Sequence, residues 1–202
     1  VWTFDGQPEL VAGEELEFQP GRGSESYTCV ATPVIWDDRV YMAFSHDPWM
    51  GDDKGWFACI DPSGEGDITT TGLLWSKTLS RESLSSPAIT EDGVLYLADN
   101  GGTTYCLEAE TGEEHWTFEA EAMTWGSTLV ADGQVYLGTS KRKLYVFEDS
   151  TDMTLLAEHE LLDAMFNTPT AANGTLFIAT GRFLYAIEAE DAEQIDYRYQ
   201  SK

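Results

Sequence analysis

Ser86–Phe118, SPAITEDGVLYLADNGGTTYCLEAETGEEHWTF, reads as one complete structural unit. Ser86–Thr90 is a short apolar strand opened by Pro87, and Glu91-Asp92-Gly93 is a tight turn whose Gly supplies a positive φ. Val94–Ala98 is a second strand, with Leu95 and Leu97 on one face and Val94, Tyr96 and Ala98 on the other. After the loop Asp99–Gly102 comes a third strand, Thr104–Glu108, then the turn Glu110-Thr111-Gly112 and a fourth strand, His115–Phe118. Four short strands joined by Gly-bearing turns form an antiparallel meander, which leaves an apolar face uncovered unless a copy packs against it.

The rest of the chain supplies the copies. Gly126–Leu137 repeats the first half and Lys143–Glu148 (KLYVFE) the third strand; Thr168–Ile178 and Phe183–Glu188 (FLYAIE) do so again. Upstream, Thr32–Tyr41 and Trp56–Asp61 (WFACID) follow the same plan. Pro87, Thr128 and Pro169 stand 41 residues apart, whereas Pro33 precedes Pro87 by 54, so the first unit carries an insertion. Four strands at a period near 40 specify an all-β fold, a β-propeller of four-stranded antiparallel blades with four blades present. The blades map to 28–78 with the insertion at 45–55, then 85–118, 125–159 and 166–199; the last ends in an outer strand at Ile195–Tyr199. Residues 6–27 form a polar surface connection. Residues 1–5 read as the outer strand of a preceding blade, because Val1-Trp2-Thr3-Phe4 matches His115-Trp116-Thr117-Phe118.

Composition narrows the function. With 36 acids against 11 bases the formal charge is −25, which excludes a nucleic-acid binder. No apolar run approaches the roughly 18–20 residues that span a bilayer. Cys59 and Cys106 align with Val146 and Ala186 at a small core position of the third strand, and we read them as buried thiols. Cys29 has no assignment.

Leu107–Trp116 (LEAETGEEHW) resembles the signature of the PQQ-like (pyrrolo-quinoline quinone) propeller repeat, a turn Thr-Gly followed by an outer-strand Trp, and Asp132–Gly138 matches its second strand. The third and fourth blades lack the Thr-Gly…Trp element. The resemblance implies about half of an eight-bladed propeller, with further blades in the same longer chain. It also implies one of two kinds of protein. Some members are PQQ-dependent dehydrogenases, which stack the quinone between a Trp and a vicinal disulfide and hold Ca²⁺ with Glu, Asn and Asp. Others, such as the outer-membrane assembly lipoprotein, are non-catalytic bacterial scaffolds.

Topology sorts the loops to two faces. First-to-second and third-to-fourth loops make a strongly acidic bottom, and second-to-third loops and blade links make the top. Arg81, Lys141, Arg142, Lys143 and Arg182 fall on the top, as does Lys54 in the insertion. That insertion, SHDPWMGDDKG, adds His46 and Trp49 as candidate partner contacts and Asp47, Asp52 and Asp53 as weak metal candidates, without the alternate-residue spacing of a dedicated calcium loop. Residues opening the inner strands (Ala31-Thr32, Ser85-Ser86, Gly126-Ser127, Asn167-Thr168) are small and neutral, and supply neither base nor cation clamp. Trp75 and Trp116 read as blade-packing residues, and Trp125 as a weak candidate for stacking a cofactor. His46, His115 and His159 form no triad.

These features predict no catalytic residue, no cofactor and no nucleic-acid partner. They predict an extracytoplasmic protein-interaction scaffold, periplasmic, outer-membrane-associated or extracellular, with its partner on the top face. The alternatives are a PQQ/Ca²⁺-dependent alcohol or sugar dehydrogenase and a structural or sensory module of a larger cell-surface protein.

Overall fold

The computed structural model describes residues 1–6, 30–45 and 55–188, and every regular element among them is a strand. The first blade is β2 (Val34–Trp36), β3 (Arg39–Ser45), β4 (Gly55–Ile60) and β6 (Leu73–Leu79). The second is β7 (Ala88–Ile89), β8 (Val94–Ala98), β9 (Thr103–Glu108) and β10 (Glu114–Glu119). The third is β11 (Leu129–Ala131), β12 (Gln134–Gly138), β13 (Lys143–Glu148) and β14 (Leu155–Glu160). The fourth shows β15 (Thr170–Ala172), β16 (Thr175–Ala179) and β17 (Leu184–Glu188); its expected outer strand lies outside the described residues. Each blade is an antiparallel meander with strands paired in chain order.

Local chemistry sets the turns. Asp37-Asp38, Asp132-Gly133 and Asn173-Gly174 connect the first two strands of three blades with positive φ at both central residues. That is the two-residue turn whose twist suits a hairpin. The second blade has a three-residue turn instead, in which Gly93 alone takes a positive φ, 87°. The outer pair slips register in each four-stranded blade, between Cys59 and Ile60, Glu114 and Trp116, and Val146 and Phe147. Such bulges sharpen the twist of the outer strand.

The alternation read from Val94–Ala98 decides the packing. Leu95 and Leu97 join Tyr41, Ala43, Phe57 and Trp75 in the seam between the first and second blades. Tyr96 and Ala98 face the other way, into a seam with Trp116, Val135, Leu137 and Phe147. A third cluster, Leu144, Val146, Met165 and Ile178, joins the third and fourth blades. The second and third blades are therefore apolar on both faces, and the core is a series of seams.

One element escaped the sequence. The connection between β4 and β6 contains a short strand, β5 (Gly66–Asp67), which pairs in parallel with β1 (Trp2–Thr3). Trp2 and Phe4 pack with Met42, Phe44 and Trp56 on the outward face of the first blade, and the Trp56 indole donates to the Gly6 carbonyl at 2.9 Å. No local pattern announces a two-residue parallel strand, because its stability comes from the aromatic pair flanking it.

Trp116 is 7% exposed and its indole N–H donates across the seam to the Ser150 carbonyl at 3.0 Å. Trp116→Ala should lower stability by about 3–5 kcal/mol, read as a fall in the urea midpoint. Gly126 is fixed by a different contact, since a Cβ there would meet the Asn167 carbonyl carbon at 2.5 Å. Gly126→Ala should cost about 1–3 kcal/mol by the same measurement.

Candidate functional site

The seams are built from a repeated set of polar contacts. Tyr41 and Trp75 of the first blade both donate to the Ala109 carbonyl of the second, at 3.1 and 3.0 Å. One blade further on, Tyr96 and Trp116 both reach the Ser150 carbonyl, at 3.4 and 3.0 Å, and the Tyr96 hydroxyl also donates to Asp149 at 2.7 Å. Cys59 is the register partner of both Tyr41 and Trp75, and Cys106 of both Tyr96 and Trp116. A small side chain between two rings is what the packing requires. Both thiols are buried and unbridged, and burial pushes Cys106 up to about 12.

A second set lies where the inner strands open. The Thr32 N–H donates to the Ser86 hydroxyl at 2.9 Å, Ser86 N–H to the Ser127 hydroxyl at 2.9 Å, and Ser127 N–H to the Thr168 hydroxyl at 2.8 Å. The small residues expected here thus form a hydroxyl ladder, one rung per seam.

A third set is confined to the seam between the first two blades. Buried Asp99 accepts from the N–H groups of Arg81, Gly102 and Thr103 and from the Tyr105 hydroxyl. Thr139 and Thr180 take its place in the next two blades, each accepting from the main chain of its own turn. Beside it, Asn100 donates to Glu82 at 2.9 Å, with Glu82 only 3% exposed. Glu82 Oε2 and Asn100 Oδ1 are buried with no hydrogen-bond partner, and the Arg81 guanidinium stands 4.0 Å from Glu82. The corresponding pairs in later blades, Met123 with Ser140 and Ala164 with Gly181, share only the main-chain bond that Glu82 and Asn100 also make. Sequence reasoning overlooked Glu82 and Asn100; their departure from the repeat was the available signal.

The top-face bases are accompanied by acids. Arg142 pairs with Glu160 and Lys143 with Glu158, and the Lys143–Glu158 hydrogen bond raises the lysine pKa. Lys141 donates to the Glu121 carbonyl and Arg182 lies over the Phe183 ring. Trp125 sits edge-on to Phe166, the residue at the same place in the next blade link. His115 lies 3.7 Å from Glu108, on an outer strand far in sequence from His159 on β14. The insertion candidates His46, Asp47, Trp49, Asp52, Asp53 and Lys54, together with Cys29, lie outside the described residues.

Among the described residues no three His, Cys, Asp or Glu side chains gather as a metal set, and Cys59 and Cys106 sit in separate blades. No helix among the described residues is long and apolar enough to cross a membrane.

Comparison with known proteins defines the class. Residues 54–156 match the PQQ-type repeat family described as outer membrane protein assembly factor BamB, and the chain belongs to that family. It is 28% identical over 112 residues to the outer membrane protein assembly factor BamB of Nitrosomonas eutropha, covering 55% of this chain and 27% of that protein. It is 23% identical over 183 residues to lupanine 17-hydroxylase [cytochrome c] of a Pseudomonas species, covering 78% and 26%. To the serine/threonine-protein kinase AfsK of Streptomyces griseus it is 43% identical over 168 residues, covering 65% and 21%. The crystal structure of BamB from Moraxella catarrhalis superposes with a TM-score of 0.55 at 18% identity, over 75% of this chain and 44% of that one, and establishes the propeller fold. The chain spans about a quarter of the length of the curated relatives it matches.

Burial makes a prediction about the thiols. A neutral thiol is a poor nucleophile, so Cys59 and Cys106 should stay silent to a disulfide reagent in the native protein at pH 8. Guanidinium should expose two more reactive thiols than the native protein shows. A smaller increment would mean that one of the two is already accessible.

Proposed function

We propose that the chain is a non-catalytic sector of a PQQ-like propeller that serves outside the cytoplasm as a protein-interaction scaffold. The observation that carries this is the hydroxyl ladder Thr32–Ser86–Ser127–Thr168, in which the polar groups at the inner strand openings join one blade to the next. Groups committed to neighbouring N–H bonds hold the scaffold; they do not move protons for a substrate. The BamB description of the matched family supports both the scaffold role and a place at the outer membrane. The AfsK likeness supports the same sector serving within a larger protein.

A second reading, an oxidising enzyme that uses PQQ and Ca²⁺, draws on the likeness to lupanine 17-hydroxylase over 78% of the chain. Titrating the intact protein with PQQ and Ca²⁺ separates the two, following tryptophan fluorescence and then dye-linked alcohol oxidation. The scaffold reading expects no saturable quenching and no turnover. Saturation at micromolar cofactor with turnover would overturn it and direct attention to Trp125. Cell fractionation tests the location, and recovery with cytoplasmic markers would refute the extracytoplasmic assignment.

A further inference from the structure

The seam between the third and fourth blades lacks the outer-strand indole that closes the other two and the inner-strand indole that covers the first. On the outer strand, Trp75 and Trp116 pair with Cys59 and Cys106; the residue paired with Val146 in the third blade is Ala157. On the inner strand, the residue just before the hairpin turn is Trp36 in the first blade and Ala131 in the third. Trp36 covers the next blade's turn, close enough that a Cβ on Gly93 would meet its ring at 3.0 Å. Both large rings are therefore replaced by alanine at one seam.

A cavity of about 510 Å³ opens there, on the bottom face. Its walls include Ala131, Tyr136, Leu176 and Ile187, and its rim carries Asp132 and Glu188. Tyr136 matches Tyr41 and Tyr96, whose rings lie 6.1 and 5.8 Å from those of Trp75 and Trp116. The cavity thus adjoins the position that an indole fills in the other seams. The Tyr136 hydroxyl, whose counterparts bond across their seams, donates instead to Gln134 on its own strand. Among the described residues the charged groups lining the cavity, Asp132 and Glu188, are acids, on a chain of net charge −25.

We propose that this cavity binds a tryptophan side chain presented on a basic segment of a partner protein. Shape selects the indole, because the same framework accepts one in two other seams. Charge selects the flanking lysines or arginines, because the rim would repel an acidic segment. The proposal rests on the reading of the chain as a protein-interaction scaffold and gives it a site and a ligand chemistry. That reading can survive failure here, since a partner on the top face would remain, and the cofactor titration tests it separately.

The test uses the intact protein and a fluorescein-labelled Lys-Trp-Lys amide, with Lys-Ala-Lys as the matched probe, read by anisotropy at low and high salt. The tryptophan peptide should bind roughly tenfold more tightly than the alanine peptide, with affinity falling as salt rises. Ala157→Trp supplies the ring the other seams carry and should weaken binding roughly tenfold without lowering the urea midpoint. If that variant does not fold, Asp132→Asn with Glu188→Gln decides, and should weaken binding and flatten its salt dependence. Equal binding of the two peptides would overturn the proposal, as would unchanged binding in a folded Ala157→Trp or in the rim variant. A gain of roughly tenfold on replacing Tyr197 and Tyr199 with alanine would also overturn it, by showing that the chain's own end competes for the cavity.

Discussion

At each of the first two seams a main-chain carbonyl receives ring donors from the preceding blade. Ala109 takes both the Tyr41 hydroxyl and the Trp75 indole, whereas Ser150 takes the Trp116 indole and the Tyr96 hydroxyl beside it donates chiefly to Asp149. A carbonyl oxygen has two lone pairs, and a buried turn that left them unfilled would lose the free energy of its lost water contacts. These bonds fix how far one blade stands from the next. They also set the core composition, because the two rings reach the turn together only if the strand residue between them is small. Cys59 and Cys106 occupy that place, which accounts for their burial without any redox role.

Along a seam the forces change character. The bottom is held by indole and phenol bonds to turn carbonyls. The middle is apolar, with Leu95, Leu97, Val135 and Leu137 fully buried, each contributing about 1.5–3 kcal/mol on removal from water. The inner strand openings are joined by the hydroxyl ladder, each rung a neutral bond with a net contribution near 1 kcal/mol. Ion pairs such as Arg142–Glu160 and Lys143–Glu158 lie outside these layers, half-exposed, and contribute little to holding them together. They also leave the top face less positive than its bases alone suggest.

The blades were legible because each is written locally. Val94–Ala98 states its two faces in alternate residues, and Asp132-Gly133 and Asn173-Gly174 state their turns in residues that tolerate positive φ. What stayed hidden depends on partners distant in sequence. The pairing of β1 with β5 joins residues more than sixty positions apart, and a two-residue strand has no periodicity to detect. The hydroxyl ladder is half visible: small residues recur at equivalent positions, but a Ser that opens a strand and a Ser that bonds the next blade look the same in a sequence. The Glu82–Asn100 contact was missed for a further reason, that the eye follows what a repeat preserves.

In a repeat protein that preference hides the functional positions. A seam with every donor matched and every ring seated has no room for a ligand and no unmet polar group to offer one. Chemistry must enter where a unit departs from its siblings. Two departures stand out among the described residues, and they differ in kind. At the first seam the departure is polar: Glu82 and Asn100 put a carboxylate and an amide where other blades carry Met, Ala, Ser or Gly, and burial leaves one oxygen of each without a hydrogen bond. At the third seam the departure is apolar and open: alanine stands at 131 and 157, and a cavity lined by Ala131 opens at the surface. Loss of an indole that the framework still accommodates creates a vacancy of known shape, and that is why the degenerate blades, not the ones that best match the family signature, are where this propeller can recognise something else.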